Sequence, residues 1–115
     1  VLDPSTTATC ISTNSAFGKH KIPYTVAGPG LVVPTLAHKF FETDLPFGIV
    51  TFKDIANMVE VDTPFMDELI IWNQKLIGKE YVKRGEDGKV EVEGRDVGEC
   101  VVPTRMGILV EDLIK

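Results

Sequence analysis

His38-Lys39-Phe40-Phe41-Glu42-Thr43-Asp44-Leu45-Pro46-Phe47-Gly48 places acid, base, aromatic and proline side by side between two helical patterns. Upstream, Thr35 to Phe41 has room for about two helical turns. Downstream, Asp44 can cap a new helix that carries Pro46 in its first turn, where a missing N–H costs nothing. The stretch is therefore expected to form a corner between two helices. In the second of these, Ile49, Phe52, Ala56 and Val59 recur at intervals of three and four and predict the buried face, with Lys53, Asp54, Asn57 and Glu60 on the solvent side.

Further along, Thr63-Pro64 repeats the cap-and-proline signal, with Asp67 and Glu68 placed to complement the helix dipole. Phe65, Leu69, Trp72 and Leu76, flanked by Met66, Ile70 and Ile77, make an apolar stripe that reads as core, and Gly78 ends the helix. Tyr81 to Arg84 and Lys89 to Glu93 alternate around Asp87-Gly88 and predict a small hairpin resting on the helices. Ile108 to Ile114 predicts a last short helix. On the N-terminal side, Asp3-Pro4 reads as the start of a helix running to about Ala16, held by packing of Ala8, Ile11 and Phe17 and stopped at Gly18. Lys19 to Pro34, dense in Gly and Pro, reads as a loop. The expected fold class is all-α, a small helical domain with a minor β-hairpin, occupying residues 1–115 as one unit.

Composition narrows the function. The 115 residues are 43% hydrophobic, enough for one core. Twelve basic against 17 acidic side chains give a net charge of -5, and the cations are scattered, so nucleic acid is not an expected partner. No apolar run approaches the ~20 residues that span a bilayer, and the Thr/Ser-rich start lacks the basic-then-apolar pattern of a leader. Cys10 and Cys100 are read as free thiols of a reducing, cytoplasmic compartment. Val1 in place of an initiating Met points to a truncated or processed chain.

Gly28-Pro29-Gly30 lacks the third glycine of a dinucleotide fingerprint, since Val33 stands there, and reads as a turn. His20 and His38 have no ligand partners at metal-binding spacing, so no metal site is expected. No nucleophile-elbow pattern surrounds Ser5, Ser12 or Ser15. What remains is Lys39 and Asp44, five residues apart. A cation can pair with the carboxylate of a small acid and a nearby carboxylate can receive an ammonium or guanidinium, so one site could hold both ends of a zwitterion. The alternative is that Asp44 only caps its helix and Lys39 is solvated.

Several motifs together resemble the C-terminal helical domain of octopine-type opine dehydrogenases. They are Thr13-Asn14-Ser15-Ala16-Phe17, Lys39 through Gly48, Thr63-Pro64 with Asp67, Trp72-Asn73-Gln74 leading to Gly78-Lys79-Glu80-Tyr81, and Pro103-Thr104-Arg105-Met106-Gly107. The resemblance implies an NAD-dependent oxidoreductase that condenses a 2-oxo acid such as pyruvate with an amino acid. It implies that NAD(H) or NADP(H) is bound mainly by an N-terminal Rossmann domain absent from this chain, which is then the chain's own partner. It also implies that no catalytic residue lies here, because the family histidine belongs to an upstream motif. Lys39 stands where the family has an arginine that holds the oxo-acid carboxylate, and Asp44 matches the aspartate facing the amino acid. Lysine offers a point charge where arginine offers a bidentate fork. Two other readings share the composition: a stand-alone helical interaction or assembly module, and the helical domain of a related ketopantoate or hydroxy-acid reductase.

Overall fold

Pro46 decides how the opening stretch folds. In an α-helix its ring would collide with the carbonyl of Glu42 and its missing N–H would leave a gap in the ladder. In the computed structural model, which describes residues 2–114, the chain accommodates it by widening: Phe40–Ile49 is a ten-residue π-helix with Pro46 inside it. The π-helix runs straight into α2, Val50–Met58. Lys39 is already right-handed helical (φ −50°, ψ −29°) at its head. The corner expected at Asp44 is thus replaced by one continuous helical run, and Asp44 lies within it rather than capping a second helix.

The chain divides into two compact units, Val1–Thr35 and Leu36–Lys115. In the first, α1 covers Thr7–Ser12. Asp3 does not cap it, because its carboxylate accepts from Ser5 N–H within a tight local turn (2.9 Å). Thr6 takes that place, accepting from Thr9 N–H at 3.1 Å while the Thr9 hydroxyl accepts from Thr6 N–H at 3.1 Å. The helix stops at Thr13, short of Ala16, and Ile11 and Phe17 remain exposed rather than packed. The segment read as a loop contains a hairpin: β1, Tyr24–Gly28, pairs antiparallel with β2, Leu31–Pro34, with a bulge between Val26 and Gly28. Pro29 and Gly30, the latter at φ 69°, are the residue pair a type II turn requires.

In the second unit, α3 spans Pro64–Leu76 with Pro64 in its first turn as predicted, but the Thr63 hydroxyl makes no capping bond and contacts Lys53 and Asp67 instead. The predicted hairpin is present in shortened form, β3 (Lys83–Arg84) against β4 (Val90–Glu91), turning through Gly88 at φ 83°. Two 3₁₀ turns, Val97–Glu99 and Pro103–Met106, precede α4, Val110–Leu113. The core gathers Leu45, Val50 and Ile70 from the helices with Tyr81, Val82, Val90, Val92, Val97 and Val102 from the C-terminal third. Most of its residues thus come from extended and turn segments, and the all-helical expectation gives way to a helical domain with two small strand pairs.

The two helix faces differ from the periodicity reading. On α2 the buried residues are Val50, Lys53, Asp54 and Ala56, a face turned by about one residue, or ~100°, from the expected one. Phe52 is exposed. On α3, Asp67, Ile70 and Gln74 face inward, whereas Phe65 (81% exposed) and Trp72 (58%) of the supposed core stripe face out.

Each buried polar group has a partner, which removes the desolvation penalty that would otherwise keep it out. Lys53 Nζ lies 2.6 Å from Asp67 Oδ1 and donates to Thr63 Oγ1 at 3.1 Å. Asp54 accepts from Thr104 N–H at 2.9 Å and from its hydroxyl at 2.8 Å, and Asn57 donates to the Val90 carbonyl at 3.0 Å. The Gln74 amide behaves like a short piece of strand. Its oxygen accepts from Tyr81 N–H (2.7 Å) and Val82 N–H (3.0 Å), and its nitrogen donates to the Val82 carbonyl (3.1 Å).

Candidate functional site

Of the two sequence-predicted site residues, Asp44 lies on the wide helical segment and Lys39 immediately before it. Lys39 is the residue before the π-helix, and its ammonium sits 5.7 Å from the Phe40 ring centroid, within cation–π range. The His38 ring meets the same phenylalanine edge-on at 4.5 Å between centroids. Asp44 is an exposed residue of the π-helix, immediately before buried Leu45 and Pro46. Neither charge is neutralised by an ion pair among the described residues. Both are therefore available to a ligand.

A cavity of about 460 Å³ opens beside this segment, with Phe41, Pro46, Phe47, Leu76 and Ile77 among its apolar walls and Glu42, Lys79, Tyr81 and Glu99 at its polar positions. Lys39 and Asp44 do not line it. Lys79 Nζ and Glu99 Oε1 pair at 2.6 Å, and that carboxylate holds the ammonium above its ordinary pKa. Burial, reinforced by the charge of Glu99, pushes the Tyr81 phenol up to about 12, and burial pushes the neighbouring Cys100 thiol up to about 12. Both keep their protons at neutral pH, so neither is a base or a nucleophile there. The sequence reading assigned no role to Tyr81 or Glu99. They come together only through the fold of residues 78–100, and spacing along the chain carries no trace of that.

A second cleft, about 810 Å³, lies between the α2–α3 junction and the β3–β4 hairpin, lined by Lys53, Thr63, Asp67 and Arg84 among others. Two of its charge pairs are committed to structure: Lys53 pairs with Asp67, and Arg84 pairs with Glu68. Among the described residues there is no group of three or more His, Cys, Asp or Glu able to hold a metal ion. No helix among them is long and apolar enough to cross a membrane. Cys10 and Cys100 are free thiols.

The Gly28-Pro29-Gly30 cluster does not form a dinucleotide fingerprint. A pyrophosphate cradle needs a glycine-rich turn between a strand and a helix, whose N-terminal N–H groups meet the phosphates. Gly28 instead ends β1 and Gly30 lies in the turn to the antiparallel β2.

Solved structures share this arrangement of elements. Octopine dehydrogenase with NADH and pyruvate matches 92% of this chain at TM-score 0.74 and 32% identity, over 26% of its own length. The same enzyme with NADH and L-arginine matches 97% of this chain at TM-score 0.76 and 33% identity, again over 26% of its length. Among curated proteins, tauropine dehydrogenase of Arabella iricolor is 35% identical over 114 residues, which is 99% of this chain and 28% of the relative. The chain thus spans about a quarter of the length of the relatives it matches, and the Rossmann domain is not in it. These likenesses define a helical domain of the dehydrogenase class. The model of the family "NAD/NADP octopine/nopaline dehydrogenase, alpha-helical domain" matches residues 1–77, and the chain belongs to that family.

Proposed function

We propose that residues 1–115 are the substrate-binding helical domain of an opine dehydrogenase, which condenses a 2-oxo acid with an amino acid and reduces the resulting imine at the expense of NADH. The observation that carries this reading is the co-linear match of nearly the whole chain to octopine dehydrogenase structures that hold NADH with pyruvate or with L-arginine. The isolated chain does not turn over on this reading, because it supplies neither a nucleotide cradle nor a base.

Its part is to bind and orient. Lys39 attracts the oxo-acid carboxylate as a point charge, and Asp44 receives the basic end of the amino acid. Held together, amine and carbonyl meet as in a unimolecular step, lose water and leave a C=N bond for the hydride. NADH, in preference to NADPH, accords with the NADH complexes of octopine dehydrogenase. The cofactor is assigned to the N-terminal Rossmann domain, the part of the relatives' length that this chain lacks. We place the contact with that domain on the uncovered apolar residues of α3, Phe65, Trp72 and Leu76, whose burial there removes apolar surface from water. A cytoplasmic location accords with the two free thiols.

The test is turnover by the intact polypeptide. With pyruvate and a panel of amino acids it should oxidise NADH only when both substrates are present. Oxidation with the oxo acid alone would assign the domain to a hydroxy-acid reductase instead, and no oxidation with any pair would refute the reading.

A further inference from the structure

The ten-residue π-helix calls for a cause and invites a use, because π-helical geometry occurs mostly as single-turn bulges and often at functional sites. Its hydrogen bonds run from residue i+5 to residue i, so a side chain five positions on lies about one turn above the first. In an α-helix the same two positions diverge by ~140° around the axis.

Two observations show the register in the C-terminal half of this segment, whereas at its head the Glu42 N–H still bonds the His38 carbonyl four residues back. The Val50 N–H bonds the Leu45 carbonyl, five residues back. Leu45 and Val50 are also both fully buried, at 2% and 0% exposure, so residues five apart share the core-facing side. Lys39 and Asp44 are the other five-residue pair. Both are exposed, and neither is held in an ion pair.

We infer that Pro46 is a positioning residue: by excluding the α-helical ladder it keeps Phe40 to Ile49 in the π register, which brings the Lys39 ammonium and the Asp44 carboxylate to one face. This rests on the assignment of those two residues to the substrates and adds what makes them act together. The physical cause is local. The pyrrolidine ring conflicts with the Glu42 carbonyl in an α-helix. The wider turn moves that carbonyl aside, and burial of Pro46 between Leu45 and the cavity wall at Phe47 fixes the segment's rotation.

The test is an exchange of register in the intact polypeptide, read as the Michaelis constants of the two organic substrates and of NADH. Leaving the carboxylate two positions back, Glu42→Asp with Asp44→Thr, alters exposed side chains alone. It should raise the amino-acid KM about tenfold or more, nearly as much as Asp44→Ala, because the acid leaves the shared face. Pro46→Ala should let the segment relax to an α-helix and raise both organic-substrate constants by a similar factor with the NADH constant unmoved. Combining Pro46→Ala with the exchange should recover most of the amino-acid loss, since residues 39 and 42 are neighbours on an α-helix.

Recovery is a result that a merely structural role for Pro46 would not give. If the exchange matches the parent while Asp44→Ala does not, the register inference falls and the substrate assignment stands. If Asp44→Ala also matches the parent, the assignment itself falls. Should Pro46→Ala fail to fold, the exchange in the parent background still decides.

Discussion

Asp67→Ala should cost the chain about 3–5 kcal/mol, the range for removing one member of a buried ion pair and leaving the other charge without compensation. Lys53 and Asp67 are both buried, 2.6 Å apart, and the Thr63 hydroxyl supplies a further contact to the lysine. With total stability of order 5–15 kcal/mol for a domain, that loss takes much of the margin. Urea unfolding followed by far-UV circular dichroism measures it from the shift in midpoint at constant slope. The matching double substitution, Lys53→Met with Asp67→Leu, should recover most of the loss, because no isolated charge then remains inside. A single variant that unfolds within about 1 kcal/mol of the parent would mean that the pair is solvated and that the α2–α3 junction is held by other contacts.

Gln74→Leu should be comparably severe. The side chain is close to isosteric and apolar, so a pattern-based reading scores the change as harmless on a buried face. It strands the Tyr81 and Val82 N–H groups and the Val82 carbonyl, all bonded by the one amide. At about 1–3 kcal/mol for each buried backbone group left unpaired, a loss of about 3 kcal/mol or more is expected. Amide hydrogen exchange localises the effect: protection at Tyr81 and Val82 should fall first, ahead of α3 itself. Uniform loss across the domain, or none at these two amides, would contradict the bridging role.

These two sites explain where the sequence could be read and where it could not. Pro64 at the head of α3, Asp87-Gly88 in its turn and the helical character of residues 50–58 were legible because each rests on chemistry within a few residues. Which face of a helix is buried rests on partners elsewhere. Lys53, Asp54 and Asn57 look like a solvent face until Asp67, Thr104 and the Val90 carbonyl are brought to them by the fold. Phe65 and Trp72 look like core because apolar spacing alone does not distinguish a covered face from an exposed one.

Pro46 was ambiguous in the same sense. At the first turn of an α-helix or inside a π-helix it has the same neighbours in sequence, and the choice depends on Leu45 and Val50 both reaching the core. The β1–β2 hairpin was hidden because Pro29 and Gly30 read as disruption when they are the turn itself. For the candidate site, the sequence offered a cation and an acid five residues apart. Family resemblance assigned them substrates as an expectation, and the proposed π register would give the spacing a geometric reason.

The central claim is that this domain holds the organic substrates and not the cofactor, and Asp44 tests it most directly. In the intact polypeptide, Asp44→Ala should raise the amino-acid KM by about ten- to a hundredfold, the worth of one charge-assisted contact. The NADH dissociation constant, measured by fluorescence titration, should stay unchanged. An equal rise in both constants, or an amino-acid constant that does not move, would contradict it.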